Sequence, residues 1–390
     1  MVDATDAADV WGDFCARLDR LGRQVLAHET VTGDRERADG LRALSRQVVF
    51  ALQDAVEFSD GGRPALFRYD DDVTKWGGPN VDNNYLRCAV DPAGTYRLSG
   101  DVTGCREILF SLNAGDMQLG HVVIHDECCL SDLATDDGRL ELTISPDQGP
   151  GDRLRSRPDT ARLTIRVYVV DWDHDTVPAL TIERLDGDDR TPRTLDVVTM
   201  AKRLDATAAW IEGSMPFWLD YMARADRPEV RNHLGAPVTP QGGAENIAYG
   251  GGFWDLGPDD ALLVEFEPPT VATWSVQTQT FPWFESGDFT ERPTSVNDRQ
   301  AHLDADGRVR LVVSHRDPGV PNWIDTEGRP TGMLVYRWVK AATTPTPDSR
   351  LLRLDELRAH LPSDHPVVGA EGRRQALASR RRAAQRRFRR

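Results

Sequence analysis

Cysteine is scarce in this chain and follows no disulfide or metal-binding pattern. The five cysteines in 390 residues are Cys15, Cys88, Cys105, Cys128 and Cys129, an odd number without a CxxC spacing. This pattern indicates reduced thiols in a reducing compartment. The adjacent pair Cys128-Cys129 leaves a redox or metal-binding role open. Because free cysteine is among the most buried residue types, burial in strands is the favoured interpretation.

Long apolar runs and a secretory leader are also missing. No stretch approaches the ~20 apolar residues that a membrane-spanning helix needs. The N-terminal sequence MVDATDAADVWGDF is acidic, whereas a secretory leader begins with basic residues and continues with apolar ones. We therefore expect a cytoplasmic protein with no membrane partner.

Several catalytic and nucleotide-binding motifs are absent as well. The sequence has no GxSxG, no GxxxxGK[ST], no HExxH, and no GxGxxG after a strand. These absences argue against the matching hydrolases, P-loop proteins, zinc proteases and dinucleotide-binding enzymes. The residues imply no cofactor, and they leave open whether the protein is an enzyme.

Charge is distributed unevenly along the chain. The formal net charge is −15, yet the last twenty residues, EGRRQALASRRRAAQRRFRR, hold nine arginines and one glutamate. An acidic body repels nucleic acid, so a nucleic-acid partner is expected only through this Arg-rich tail. Its composition predicts a helix. Docking on an acidic surface is favoured over a mobile arm, because Leu377 and Phe388 are its only large apolar residues and a membrane-binding face needs more.

Helical and strand patterns divide the chain into five segments. Residues 1–60 carry two amphipathic stripes that predict a helical hairpin. Residues 64–190 and 255–342 contain short β-branched strands separated by turn residues. Residues 195–250 indicate a helix, which Pro216 should kink or split, and a glycine-rich connector. Residues 350–390 contain a short helix and the basic tail.

The order of these segments predicts the fold class. No helical pattern intervenes between the strands of a block, which argues against a parallel Rossmann-type sheet. We therefore predict an α+β, mainly β protein with two antiparallel β-sandwich or jelly-roll-like blocks. An N-terminal helical hairpin, a central helical segment and a C-terminal basic helix accompany the blocks.

Two strand regions carry recognisable motifs. The first is GGPNVDNNYLRCAVDPAGTYRLSG at 77–100, and the second, at 259–338, contains DDALLVEFEPP, PTSVNDRQ, DPGVPNWIDTEG and GMLVYRW. Together they resemble a bacterial family known only as a domain of unknown function, DUF1214. The segment RLTIRVYVVDWDHDTVPALTIERL is similar to the middle of that family. The resemblance implies a β-sandwich or jelly-roll-like C-terminal domain, often with a related β-rich domain, and it brings no agreed reaction or catalytic residue.

The loop DPGVPNWIDTEG holds the strongest candidate ligand contacts. Asp317, Asn322 and Asp325 offer hydrogen-bonding groups beside the flat indole of Trp323, a combination suited to a sugar or ring. The alternative is structural, with Trp323 plugging the end of the sandwich while Asp317 and Asn322 tie the loop. Arg337 follows in a strand, where it either faces solvent or binds an anion in a cleft.

Other polar residues are candidates of the same kind. Asn80, Asn83 and Tyr85 follow a Gly-Pro turn and either face a cleft or satisfy their own backbone. Asn297 is a further amide. For metal, His121 and His125 lie on one strand face, and Asp173 and His174 lie in DWDHD. Residues four apart on a strand are ~13 Å apart, so a metal site is not predicted, although a divalent metal is left open.

Two functions are consistent with these residues. The first is an enzyme that acts on a small polar or glycosylated metabolite in a cleft between the β-blocks. The alternative is a non-catalytic module that binds a carbohydrate or another anion and forms a homo-oligomer through its helices. Both expect a small-molecule ligand.

Overall fold

The computed structural model describes residues 6–135, 137–147, 149–187, 194–239 and 246–388. The chain forms two compact units. The first comprises Met1–Trp76, Asn84–Tyr168 and Thr176–Tyr221, and the second comprises Gly77–Asn83, Val169–Asp175 and Met222–Arg390. Two short segments within the expected 64–190 block therefore belong to the second unit.

The first unit begins with the predicted helical hairpin. Its helices are α1 (Ala7–Leu26) and α2 (Asp34–Leu52), and α2 continues into a π-helical turn at Gln53–Glu57. The Asp6 carboxylate caps α1 by accepting a hydrogen bond from the Ala8 N–H at 2.7 Å.

Helix α3 (Val197–Ala225) is the central helix predicted from the sequence. Pro216 lies inside it without splitting it. Residues before and after the proline are buried, among them Ile211, Met215 and Leu219. The packing of this apolar face offsets the hydrogen bond that a proline removes.

Nine strands form the sheets of the first unit. They are β1 (Phe67–Asp70), β2 (Asn83–Ala89), β3 (Tyr96–Asp101), β4 (Glu107–Asp116), β5 (His121–Cys129), β6 (Arg139–Ser145), β7 (Arg153–Arg155), β8 (Arg162–Tyr168) and β9 (Leu180–Arg184). One sheet has the order β1-β2-β8-β4-β5 and the other β7-β6-β3-β9. The central strands are apolar and buried, as in Ile108, Phe110 and Leu112 of β4.

Eight strands form the sheets of the second unit. They are β10 (Ile247–Asp255), β11 (Asp260–Phe266), β12 (Thr273–Thr280), β13 (Ser295–Asn297), β14 (Val309–Ser314), β15 (Trp323–Asp325), β16 (Thr331–Val339) and β17 (Asp348–Arg353). The sheets have the orders β10-β16-β12-β13 and β15-β14-β11-β17. Trp254, Tyr336 and Trp338 from one sheet pack with Val264 and Leu311 from the other in one apolar cluster, which makes this unit a β-sandwich.

The two units repeat one strand topology. Strands β2 to β9 and strands β10 to β17 occupy the same places in their sheets, so each strand corresponds to the one eight positions later. In both units the sixth strand of the repeat lies parallel to the fifth, as β7 does to β6 and β15 to β14. The prediction of an α+β, mainly β fold is confirmed. The strand pairs of both blocks are mainly antiparallel, with parallel pairs at these two edges.

The last helix, α4 (Ala370–Phe388), contains the Arg-rich tail. It packs in the second unit, where Ala383, Ala384 and Phe388 join Val81, Trp172 and Phe289 in a buried apolar cluster. The tail therefore docks as a helix, which agrees with the interpretation favoured from the sequence.

Candidate functional site

A cavity of about 480 Å³ lies in the second unit, beside helix α4. Four stretches of chain line it: the turn Val170–Asp173, the region of β13 and the residues after it, the start of β15, and α4. Among its lining residues are three arginines and two tryptophans, namely Arg299, Arg373, Arg380, Trp172 and Trp323. A cavity with these walls suits a small polar ligand that carries negative charge.

Two tryptophans of this cavity are covered by guanidinium groups of α4. The Arg373 guanidinium carbon lies 5.1 Å from the Trp323 ring centre. Those of Arg380 and Arg387 lie 4.4 Å and 5.0 Å from the Trp172 ring. Cation–π attraction of this kind fixes the helix over the sandwich. The protein's own guanidinium groups therefore lie against both indole rings.

A buried carboxyl group lies behind the Trp172 wall. Asp82 is 2% exposed, and its Oδ1 accepts hydrogen bonds from Trp172 Nε1 at 2.7 Å and Asn297 Nδ2 at 2.9 Å. Burial raises the pKa of Asp82, although these two donors and the charges of Arg387 and Arg380 partly oppose the rise. Asp82 therefore links the turn, the β13 end and the helix.

Arg380 is the most deeply held arginine of the cavity wall. It donates hydrogen bonds to the Phe289 carbonyl and to the Ser295 carbonyl and hydroxyl. Burial lowers its pKa to about 10, so it remains a cation at neutral pH. Arg299 is different, because its side chain is 51% exposed and its nearest ion-pair contact is Asp298 at 3.9 Å. Arg299 is the cation of the wall best placed to meet a ligand.

Of the predicted ligand contacts, Asn322 and Trp323 line the cavity, and so does Asp173, which was weighed as a metal ligand. The Asn322 amide bonds backbone groups, accepting from His302 N–H at 2.7 Å and donating to the His302 and Arg310 carbonyls. Trp323 Nε1 donates to the Ser314 carbonyl at 3.2 Å. Both side chains therefore bond backbone groups of neighbouring segments.

Asp317, Asp325 and Asn297 support the loops around the cavity. Asp317 forms two 2.9 Å hydrogen bonds with Arg373 of α4. Asp325 pairs with Arg292 at 2.9 Å. Asn297 is fully buried, donates to Asp82 and to the Val170 carbonyl, and accepts from two backbone N–H groups. These contacts position the cavity walls.

The remaining predicted ligand contacts lie away from this cavity. Arg337 is buried in β16, where it donates to the Gly78 carbonyl at 2.6 Å and its cation lies 5.7 Å from the Tyr249 ring. It therefore faces neither solvent nor this cavity. Asn80 and Asn83 are buried, and the Asn80 side chain accepts from the Asp82 N–H, as expected for turn chemistry. Tyr85 belongs to the first unit, beside Tyr69.

The residues weighed as metal ligands do not form a donor cluster in the described part of the chain. His121 and His125 both approach Asp159, at 3.9 Å and 3.0 Å. Asp173 pairs with Arg386, and His174 pairs with Asp171. The described residues place a different set within 4.8 Å of one another, His302, Asp304 and His365.

The His302–Asp304–His365 cluster is already closed by protein contacts. One oxygen of Asp304 bonds His365 Nδ1 at 2.7 Å, and the other bonds Arg310 at 2.7 Å. A metal bound through His365 Nδ1 leaves its Nε2 proton buried without an acceptor, whereas metal-ligating histidines usually donate that proton. The contacts favour a structural network.

The adjacent cysteines Cys128 and Cys129 are also better explained by a structural role than by a chemical one. Burial, together with the charge of Asp126, raises the pKa of Cys128 to about 12, and Cys129 is buried. A thiol with so high a pKa is protonated at neutral pH and is a poor nucleophile or metal ligand.

Sequence reasoning missed Trp172, Arg299, Arg380 and Asp82. Trp172 and Asp82 are far from β13 and α4 in the sequence, and no local pattern places them there. The DWDHD motif and the Arg-rich tail both stand out in the sequence, but only the fold brings Trp172 and Arg380 together.

The class of this protein is defined by its fold and its cavity. The described residues contain no helix long and apolar enough to cross a membrane. No family model and no curated protein matches the chain. The fold and site define a two-unit protein with a repeated β topology and a cationic, helix-walled cavity.

Similarity to a solved structure places the chain in a family. An uncharacterised protein from Burkholderia cenocepacia is 32% identical, with a TM-score of 0.82, over 89% of this chain and 97% of its own. The chain belongs to the same family as this protein. A Vibrio parahaemolyticus protein matches at 12% identity and a TM-score of 0.44, over 86% of this chain and 100% of its own.

Proposed function

We propose that the second unit binds a small, negatively charged polar metabolite, such as a sugar acid, in the cavity beside α4. The observation that carries this proposal is the wall formed by Arg299, Arg373 and Arg380 around a volume of about 480 Å³. A carboxylate of the ligand pairs with Arg299, whose own acidic contact is weak. Hydroxyl groups of the ligand then bond Gln300 and Asp171 at the same cavity.

A binding role fits these contacts better than catalysis within the cavity. Asp82 is locked between two donors, and Arg373 and Arg380 hold the helix as well as the cavity wall. Side chains fixed in this way orient a ligand through preformed contacts. This favours the non-catalytic module of the two functions consistent with the sequence.

Calorimetric titration with D-glucuronate, with D-glucose as the neutral analogue, tests the binding proposal. We expect saturable binding of glucuronate, weaker binding of glucose, and about 10-fold weaker glucuronate binding in Arg299→Gln, since a charge-assisted hydrogen bond contributes about 1.5 kcal/mol. Arg37→Gln, at an exposed position of α2 in the first unit, is the matched control, because it removes the same charge outside any cavity. Equal weakening in both variants, or no saturable binding, contradicts the proposal.

One observation favours an enzyme as the second candidate. His174 Nδ1 lies 3.0 Å from both Asp171 oxygens, and Asp171 lines the cavity. A carboxylate that orients an imidazole in this way leaves Nε2 available as a general base. If the protein is an enzyme, it converts a bound sugar-type metabolite into a product. His174→Gln should then abolish turnover and preserve binding. Product analysis by mass spectrometry after incubation with glucuronate separates the two candidates.

Two further assignments remain proposals. Membership of DUF1214 rests on the motifs named above and is supported by the repeated β topology. Alignment of its members with this chain and the Burkholderia protein tests it.

Self-association through the helices is supported by exposed apolar side chains on α1 and α2, including Trp11 at 59% exposure. Light scattering of the full chain measures the oligomeric state.

A further inference from the structure

A second cavity, of about 540 Å³, lies wholly within the first unit. Its walls come from the end of α2 and the π-helical turn, from the strand region around Ala89 and Arg162, and from one face of α3. Six alanines and Leu119 line much of it. π-Helical turns often occur at functional sites, because the extra residue re-aims side chains. Here the turn carries Asp54 and Ala55 into the cavity wall.

A closed ionic cluster forms the back of this cavity. Arg162 pairs with Asp54 and Asp116, both at 3.2 Å. Arg87 pairs with the same two carboxylates at 3.2 Å and 3.3 Å, and Trp210 Nε1 donates to Asp116 at 3.0 Å. Two cations and two anions balance one another. The contacts also fix the orientation of the Arg162 guanidinium at the cavity wall.

The charge that faces the cavity is positive. The lining residues include Arg162, Lys202 and Arg203, against the single carboxylate of Asp54. Both Asp54 oxygens are already engaged by the two arginines of the cluster. Arg203 donates to the Val56 carbonyl of the π-helical turn at 2.6 Å, which fixes its stem. Lys202 is exposed, and its ammonium group can move toward a ligand.

The pKa values of Arg162 and Asp116 agree with a surplus of positive charge at the cavity wall. Burial, together with the charge of Arg87, lowers the pKa of Arg162 despite its two carboxylate partners. Burial alone would raise the pKa of Asp116, yet Arg87 and Arg162 hold it below its ordinary value. Burial and the charge of Arg87 therefore disfavour the Arg162 cation, and an anion at the cavity side would favour it.

We propose that this cavity binds a small organic dianion, either a phosphomonoester or a dicarboxylate. The anionic group contacts Arg162, Lys202 and Arg203, while the carbon skeleton lies on the alanine floor and the edge of Trp210. The proposal concerns a second site, separate from the cavity of the second unit. It stands on different residues, and it does not depend on the function proposed above.

Titration calorimetry of the full chain tests the proposal with glycerol 3-phosphate and succinate as probes. Glycerol is the neutral analogue, and inorganic phosphate is the anion without a carbon skeleton. We expect saturable binding of at least one of the two organic dianions. Glycerol should give no saturable binding, and inorganic phosphate should bind more weakly than the organic dianion.

Three variants locate the binding site. Lys202→Gln should weaken dianion binding about 10-fold, because one charge-assisted contact is lost. Ala206→Phe, which fills the cavity without a charge change, should abolish binding. Both positions are exposed on α3, so the fold should persist. Arg37→Gln, at an exposed position of α2 outside both cavities, is the control with the same charge change and should leave dianion binding unaltered.

The outcomes separate this site from general electrostatic attraction. Equal weakening by Lys202→Gln and Arg37→Gln overturns the proposal, since it shows attraction without a defined site. Full retention of binding in Ala206→Phe also overturns it, and so does the absence of saturable binding for both organic dianions. The relative affinities of glycerol 3-phosphate and succinate decide between the phosphomonoester and the dicarboxylate.

Discussion

Single residues in the DPGVPNW loop show how far the sequence predicts a site. Its amino acids indicate a turn rich in hydrogen-bonding groups, and the structure has that turn. Whether the Asn322 amide faces a ligand or the backbone depends on where His302 and Arg310 lie, and no local pattern encodes this. Asn322 also has a φ of +54°, a conformation that asparagine tolerates better than most residues.

Replacing Asn322 should therefore destabilise the second unit. Asn322→Ala removes three hydrogen bonds to backbone groups and forces alanine into the left-handed region, so we expect a loss of about 3 kcal/mol in the free energy of unfolding. Asn232 is the matched control, because it also has a positive φ and bonds backbone, but in an exposed loop. Asn232→Ala should cost about 1 kcal/mol. Urea denaturation measures both, and equal losses contradict the role assigned to Asn322.

The buried Asp82 carboxyl group predicts an unusual pH dependence of the free energy of unfolding. Its pKa is raised mainly by burial, so the folded protein binds the proton more tightly than the unfolded chain does. Its contribution to stability is therefore largest below the ordinary carboxyl pKa and is lost as the pH rises through the raised pKa. Asp82→Asn keeps an oxygen that accepts from Trp172 and Asn297. We expect this variant to gain stability relative to the natural chain between pH 5 and pH 8.

Asp116→Asn is the control for this measurement. The pKa of Asp116 is lowered, so its carboxylate stays charged throughout that pH range, and its loss should cost the same stability at pH 5 and pH 8. Urea denaturation at the two pH values gives both results. If Asp82→Asn loses more stability at pH 8 than at pH 5, the charged form of Asp82 is the stabilising one.

Among the elements, α4 combines a predictable helix with an unpredictable position. The composition of the tail predicts the helix, and the acidic body favours docking. The contact surface itself depends on Trp172 and Phe289, which lie in separate loops. Arg381 pairs with Glu291 on the exposed side of the same helix.

Buried contacts, rather than charge, should dominate the docking of α4. Phe388 is 3% exposed within its apolar cluster, so Phe388→Ala should cost about 3 kcal/mol. Arg381→Ala removes an exposed ion pair and should cost less than about 1 kcal/mol. Thermal unfolding followed by circular dichroism measures both. A larger loss in Arg381→Ala indicates that the helix docks mainly through its charges.

At the scale of the whole molecule, the sequence predicts only part of the repeated strand topology. The strand blocks follow from alternation and turn residues, and the family resemblance implied a related second β-rich domain. The sequence gives no sign that 77–83 and 169–175 belong to the second unit. Those segments supply Asp82 and Trp172, which are the partners of Asn297 and of α4. Long-range contacts of this kind depend on topology and leave no periodic signal.

This exchange of segments predicts that the second repeat does not fold alone. A fragment 222–390 contains every strand of its sandwich, but it lacks the segments that satisfy Asn297 and cover Phe289 and Phe388. We expect it to show no cooperative thermal transition, because a buried amide and an apolar cluster are left open to water. Co-expression with residues 1–221, which carry both segments, should restore cooperative unfolding. A cooperative transition in the isolated fragment contradicts the structural role assigned to Asp82 and Trp172.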